Sequence, residues 1–421
     1  MQLSSKEDAD AHRASTNKIN RKNNTKMRKN IHLAIWAASL FAVSPIQAQD
    51  HLQSILDSIE HNNTTLTAFR KTVDAEKQAN RTDIFLEDPE VGVNYLWGSP
   101  LAIGNRTDIS VSQSFDMATV LGKKRQLARS KDALQELSYF QVRMNILLEA
   151  KYHYIDIIYA NSLLRILDKR LELADRLVEL INKKLEAGEG NQLEYNDVRL
   201  ARSSVKAEMM TIQSDREAAL SQLRRLNGGK DIEVEDASFP PSALPSDFTS
   251  WVESSAAINP LAKYVRQETD VTRKSLAVAK ASALPTISMG YMSEKVAGEH
   301  FQGISLGMSV PLWSNKNRIK KAKADIAAAE ERQNDVHTQV IGQLKTSYRK
   351  AQDLQRVAEE LNSSLQQSDN TRLLDKAMQE GAISIIDYLK AVQLYYDHVG
   401  KALEAERDYQ KALAELSAAA L

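Results

Sequence analysis

The 421-residue chain has no cysteine. That excludes disulfides, thiolate metal sites, cysteine nucleophiles and a lipid anchor on an N-terminal cysteine. Proline (9) and glycine (15) are sparse, and aromatic residues make up only 6%. Breakers this rare, beside abundant Ala, Leu, Lys, Glu, Gln and Arg, predict long helices. Neither charge sign is in excess, with 55 Lys and Arg against 55 Asp and Glu. Nothing therefore points to nucleic acid. Enzyme signatures are missing too. No phosphate-binding glycine loop is present, and His51, His61, His153, His300, His337 and His398 show no metal-ligand spacing. "GISLG" (Gly303–Gly307) matches G-x-S-x-G, but its serine lies in an alternating strand pattern rather than at a strand-to-helix elbow. No catalytic residue, cofactor or resident metal is expected.

One apolar run stands near the start. Arg28 and Lys29 precede Ile31–Val43, and a small-residue stretch ends at Ala48. This is the layout of a signal peptide over residues 1–48, cut before Gln49. Residues 1–26 are polar and basic, which makes Met27 a second candidate start. Export is expected, and without the leader the charge balance tips to the acidic side.

What is present is a pattern that occurs twice. In "KLEAGEGNQLEYNDVRL", Gly188 precedes Glu194-Tyr195; in "MQEGAISIIDYLKAVQL", Gly381 precedes Asp387-Tyr388. "PEVGVNY" (Pro89–Tyr95) meets "PTISMGY" (Pro285–Tyr291), and "ISVSQSF" (Ile109–Phe115) meets "ISLGMSV" (Ile304–Val310). The offset stays at about 195 residues throughout, which reads as a duplicated domain rather than a short solenoid repeat. The first copy covers residues 49–226 and the second 248–421, with the irregular stretch 227–247 between them as a linker.

Each copy reads as helix, two short strands, a very long helix, a glycine turn and a returning helix. No Gly or Pro lies between Gly122 and Gly188, while Leu164, Leu167, Leu171, Ala174, Val178, Ile181 and Leu185 follow a 3, 4 spacing. That is a coiled-coil seam on a helix roughly 100 Å long. A comparable helix is expected from near Asn315 to Gln379, with Gly342 as its weak point.

Strands are expected at about 89–97, 107–116, 285–295 and 302–312. Val91, Val93, Tyr95, Ile109, Val111 and Phe115 form one apolar face in the first copy. Ile287, Met289, Tyr291, Leu306, Met308 and Val310 form it in the second, and small polar residues alternate with both sets. This is the dyad pattern of a membrane barrel with a wet interior, and equally of a soluble sheet with one face on a core. Strands of about ten residues cross a bilayer when tilted. Four strands cannot close a barrel, and open edges are not tolerated in lipid, so membrane-embedded strands require several chains. Tyr95, Trp97, Tyr291 and Trp313 suit interfacial anchoring.

These residues together resemble the outer-membrane efflux proteins, the TolC-like exit ducts of tripartite pumps. The likeness rests on "QSFDMATVLGKKRQLARSKDAL" (Gln113–Leu134), "KKLEAGEGNQLEYNDVRLARS" (Lys183–Ser203), "LPTISMGY" and "SVPLWSNKNRIKKAKADIAAAE" (Ser309–Glu330). "GKKRQLA" is most similar to the heavy-metal (cobalt–zinc–cadmium or copper–silver) branch. The resemblance implies a mainly α fold with a small β part: a homotrimeric α-helical barrel topped by a 12-stranded transmembrane β-barrel. It implies outer-membrane lipid around the strands and a periplasmic tube. The tube would meet an adaptor (membrane fusion protein) and an inner-membrane transporter of the RND or ABC type. Gly188 and Gly381 become the tip turns, and Glu194, Asp197 and Asp387 the acids of the pore mouth. Lys390 stands where some members carry a second acid. The competing readings are a soluble periplasmic coiled-coil scaffold and a periplasmic adaptor subunit; the latter would show one helical hairpin and glycine-rich lipoyl-like strands.

Overall fold

The computed structural model describes residues 45–421 apart from 83, 117, 241–242, 314 and 369. Most of the expected leader, including the apolar run, lies outside the described residues. The elements run α1 (Pro45–Asn62), α2 (Thr64–Ala79), β1 (Glu90–Leu96), β2 (Arg106–Phe115), α3 (Ala118–Glu186) and α4 (Gln192–Leu226). After residues 227–247 come α5 (Phe248–Ile258), α6 (Pro260–Ala281), β3 (Thr286–Val296), β4 (Glu299–Ser309), α7 (Arg318–Gln367), α8 (Thr371–Gln379) and α9 (Ile385–Leu416). Among the described residues no helix is long and apolar enough to cross a membrane.

The 69-residue α3 is the spine. At 1.5 Å per residue it is roughly 100 Å long. Its middle is wrapped: Ile146, Leu147, Tyr154, Ile157 and Ile158 pack with Ile55 and Ile59 of α1, Leu66 of α2 and Leu223 of α4. Beyond that region only one stripe is covered. Leu163 and Leu167 meet Val205 of α4, then Leu177 and Ile181 meet Val198. The expected seam is therefore buried by the returning helix, with Leu167, Ala174 and Ile181 among its covered members.

Ion pairs clamp α1 and α2 to the spine. Arg143 donates to both Glu60 carboxylate oxygens at 2.6 Å, and Glu136 accepts from Arg70 at 2.8 Å and from Lys77. The Arg143 bond holds Glu60 below the ordinary carboxylate value, and the Lys77 bond, followed by Arg70, does the same for Glu136. Residues 230–240 contain no helix or strand, yet they are tied down. Asn161 donates to the Val234 and Asp236 carbonyls at 3.0 and 2.8 Å, and Ser162 to the Ala237 carbonyl at 2.6 Å. His51 and Tyr154 both reach the Asp236 carboxylate, at 2.6 and 3.0 Å.

The strands form one antiparallel sheet in the order β1-β2-β3-β4. Val91, Val111, Tyr291 and Ile304 stand side by side across it, as do Val93, Ile109, Ser293 and Gln302. The apolar residues thus share one face. Among the described residues the outer strands β1 and β4 each have one unpaired edge.

Two expectations are corrected. The fourth strand covers Glu299–Ser309 rather than 302–312, so Val310 lies past its end. The cause is a two-residue turn, Ala297-Gly298, with positive φ at both positions (46° and 93°). Mirror-image turns of this kind match strand twist and let pairing begin at Val296↔Glu299. The second long helix does not run unbroken to Gln379. It stops at Gln367 and resumes at Thr371, whereas Gly342 sits inside continuous helix. Ser368 and Asn370, which flank the stop, are residue types that favour helix ends over helix interiors, although Asn370 makes no side-chain cap.

Candidate functional site

Two regions were singled out by the sequence, and they lie at opposite ends of α3. At one end are the glycine turns. The Gly188 N–H donates to the Leu185 carbonyl at 3.1 Å and the Glu189 N–H to Lys184 at 2.9 Å. The Gly381 N–H donates to Met378 at 3.1 Å and the Ala382 N–H to Ala377 at 2.8 Å. Both are Schellman closures, in which the residue past the helix adopts a left-handed backbone. Gly188 has φ 77° and Gly381 φ 72°, and a Cβ at either would meet no neighbour within 4 Å. Glycine is needed here for conformation, not for space.

The returning helices start with caps. Asn191 accepts from the Leu193 N–H at 2.9 Å. The Ser384 hydroxyl accepts from the Asp387 N–H at 3.1 Å and donates to the Asp387 carboxylate at 2.7 Å. Asp387 is therefore part of a helix cap as well as an exposed acid, and the positive end of the helix dipole favours it there. Glu194 is half-buried in the first turn of α4, and Asp197 is exposed. Among the described residues none of the three acids is ion-paired.

One cluster joins the two turns: Leu177, Ile181 and Val198 pack with Tyr388 and Val392. Tyr388 is 0% exposed and donates to the Asp375 carboxylate of α8 at 2.6 Å. Burial, then the hydrogen bond to Asp375, pushes its hydroxyl far above the usual phenol range, so the phenol keeps its proton at physiological pH. The counterpart Tyr195 is only half-buried, with the Arg199 guanidinium 5.6 Å from its ring. The sequence marked this tyrosine position but not the bolt it makes with Asp375.

At the other end is the sheet. Val91 is 69% exposed, Leu306 68% and Ile304 83%. Each of Val93, Tyr95, Ile109, Val111, Phe115, Ile287, Met289, Tyr291 and Met308 is exposed as well. Among the described residues no helix or loop covers this face. From Ile109 to Phe115 this face of β2, with Gln113 its one polar member, spans roughly 20 Å, against an apolar band of roughly 25 Å in a membrane barrel. It ends at Tyr95 in a row shared with the polar Thr107, Lys295 and His300. Trp97 lies just past β1, edge-on to Tyr95 at 5.7 Å.

The opposite face carries Gly92, Ser110, Ser112, Ser288, Gly290, Ser305 and Gly307. A Cβ at Gly92 would come within 2.8 Å of the Ser110 hydroxyl oxygen, one at Gly290 within 2.7 Å of Ser305, and one at Gly307 within 2.4 Å of Ser288. Side chains on this face crowd across strands, as on the concave side of a curled sheet. The alternation had already put Asp108 on this face, but sequence reading missed Arg106, Glu294 and Phe301 there. Their signal was parity with the glycines and serines, and for Phe301 the late placement of the fourth strand hid it.

This geometry frames the comparisons with known proteins. Residues 251–420 match the model of the outer membrane efflux protein family. That stretch runs from α5 through α9. No curated protein matches the chain in sequence. Among solved structures, the Campylobacter jejuni CmeC outer membrane channel is similar at TM-score 0.69 and 14% identity, over 88% of this chain and 85% of that one. The Vibrio cholerae outer membrane protein VceC is similar at TM-score 0.68 and 14% identity, over 87% and 95%. The open state of the Neisseria gonorrhoeae MtrE outer membrane channel gives 0.65 and 16%, over 88% of each chain. The chain has the fold of these outer-membrane channels.

Proposed function

We propose that this protein is the outer-membrane exit duct of a tripartite efflux pump, a passive channel rather than an enzyme. The observation that carries the reading is the sheet: an uncovered apolar face, a small polar face, and two free edges at one end of a roughly 100 Å helical shaft. Three copies, each giving four strands, close a 12-stranded barrel and remove every edge from lipid. The helices then continue the barrel as a tube across the periplasm, where an adaptor and an RND-type or ABC transporter meet the tip. The chain reads as two tandem copies, residues 49–226 and 248–421, joined by 227–247. The same element order and the same Schellman bonds on either side support this. A signal peptide over residues 1–48 would deliver the chain.

Glu194, Asp197 and Asp387 form the acidic pore mouth in this reading, and an acidic mouth focuses cations. Heavy-metal cations are included in the proposed cargo on the strength of "GKKRQLA" alone. The scaffold and adaptor alternatives fit less well. A scaffold has no use for a bare apolar sheet, and an adaptor has one helical hairpin where this chain has two.

Fractionation of an expressing Gram-negative strain tests the proposal. The protein is expected in the outer membrane, and Val93→Asp or Leu306→Asp is expected to abolish insertion. Recovery of the wild type in the soluble periplasm would favour the scaffold and end this reading.

A further inference from the structure

The polar face of the sheet is not uniform along its length. Close to the helices its rows hold glycine and serine: Ser114, Ser288 and Gly307 stand together, and Ser112, Gly290 and Ser305 in the next row, with Glu90 the one large member. The row beyond holds Gly92, Ser110, Met292 and Gly303, so Glu90 and Met292 are the only long side chains in three rows otherwise of glycine and serine. Towards the hairpin turns the same face changes character. One row reads Asn94, Asp108, Glu294 and Phe301, and the last reads Leu96, Arg106, Val296 and Glu299.

These side chains are held. Arg106 Nε donates to Asp108 at 2.8 Å, and an Arg106 terminal nitrogen lies 3.3 Å from the Glu294 carboxylate. The guanidinium is thus drawn back along the wall between two acids instead of reaching across the interior. One cation faces three carboxylates on this rim, so each protomer presents net negative charge. Phe301, 58% exposed, stands in the same row with no cover of its own. Glu90 is the lone charge near the helices, whereas the hairpin end gathers Arg106, Asp108, Glu294 and Glu299 in two adjacent rows.

We infer that the rows around Asp108, Glu294 and Phe301 form a second constriction, at the outer mouth of the duct, which favours cationic over anionic solutes. This deepens the proposed function and rests on it, because the polar face is a lumen only if the sheets close into a barrel. Three copies bring the rim charges around one aqueous path, where low-dielectric walls strengthen their field. Charge selection would then operate at both ends of the channel, and the outer ring would act on solutes arriving from outside as well.

The absence of cysteine allows a direct test on the full-length protein in intact cells. Ser288→Cys places a thiol beyond the ring as seen from outside, and Val93→Cys places one on the apolar face. Membrane-impermeant cationic (trimethylammonium) and anionic (sulfonate) methanethiosulfonates are applied externally, with rates normalised to a free thiol. The expected result is a silent Val93→Cys and a Ser288→Cys that favours the cation by about tenfold, within the usual range for charged clefts. Adding Asp108→Asn and Glu294→Gln should cut that preference severalfold, and Arg106→Gln should raise it. A preference that neither change moves overturns the ring, while a silent Val93→Cys leaves the barrel standing. Equal labelling of Val93→Cys and Ser288→Cys overturns the barrel itself, and the ring with it.

Discussion

The two turns at the tip are made from the same device and carry different loads. Gly188 and Gly381 share the left-handed backbone and the same pair of closing hydrogen bonds. Around Gly188, α3 arrives as one uninterrupted helix and Tyr195 sits half in solvent. Around Gly381, α7 has already broken at Ser368–Asn370, and the short α8 is fixed to α9 by the buried Tyr388–Asp375 bond. The lesson is that a turn sequence specifies local backbone, whereas tertiary packing decides which copy is held tightly. The first hairpin is stiffened by helix continuity. The second is stiffened by one phenol.

Removing that phenol should have the largest effect. Tyr388→Ala empties a fully buried aromatic site and leaves the Asp375 carboxylate without its donor, a loss of about 3 kcal/mol or more. Hydrogen exchange over residues 371–395 should accelerate accordingly, while Tyr195→Ala changes exchange around Gly188 far less. Equal responses would erase the distinction between the hairpins. Next come the glycines. Gly188→Ala and Gly381→Ala should each cost about 1 kcal/mol, because only backbone conformation is at issue. Similar acceleration at the two turns would confirm that this part of the device is shared. Ser384→Ala removes the cap of α9 and should cost about 1 kcal/mol or less. Its effect should be confined to the first turn of α9, and, on the proposal that Asp387 lines the pore mouth, conductance in planar bilayers should change.

The smallest effect concerns pH, at the far side of the shaft. Glu136 is held below its ordinary value of 4.5 by Lys77 and Arg70 in the folded protein. Its contribution is therefore complete above that ordinary value and fades as pH falls through the lower folded one. The melting temperature of Glu136→Gln should lie below wild type at neutral pH, and the gap should close on acidification. A gap that widens in acid would mean the carboxylate is not the stabilising form. The tip glycine variants should show no such pH dependence.

Much of this fold was legible in the sequence, for identifiable reasons. The absence of Gly and Pro between Gly122 and Gly188 left nothing to stop a helix, and none stopped. Alternation in β1 and β2 put their apolar residues on one face, because a period of two assigns faces independently of what covers them. Two features were hidden. Ala297-Gly298 lacks the Asn-Gly or Asp-Gly signature of a tight hairpin, so β4 was placed too late and the rim residues Glu299 and Phe301 were overlooked. The break at Ser368–Asn370 was masked by a helical period that resumes on the far side. The acids that follow the two turns, Glu194, Asp197 and Asp387, were visible as residue types in a repeated frame. That Asp387 also serves as a cap partner depends on Ser384, a residue the repeated frame did not mark.

The account stands or falls on how the free edges of the sheet are satisfied, and a cysteine-free chain makes that measurable. Paired cysteines scanning β1 from Val91 to Tyr95 against β4 from Phe301 to Ser305 can be oxidised in outer membranes and run on a non-reducing gel. Covalent dimers and trimers are expected for at least one register, and nothing larger. Monomers alone at every register, or ladders extending past three chains, would contradict the three-chain barrel.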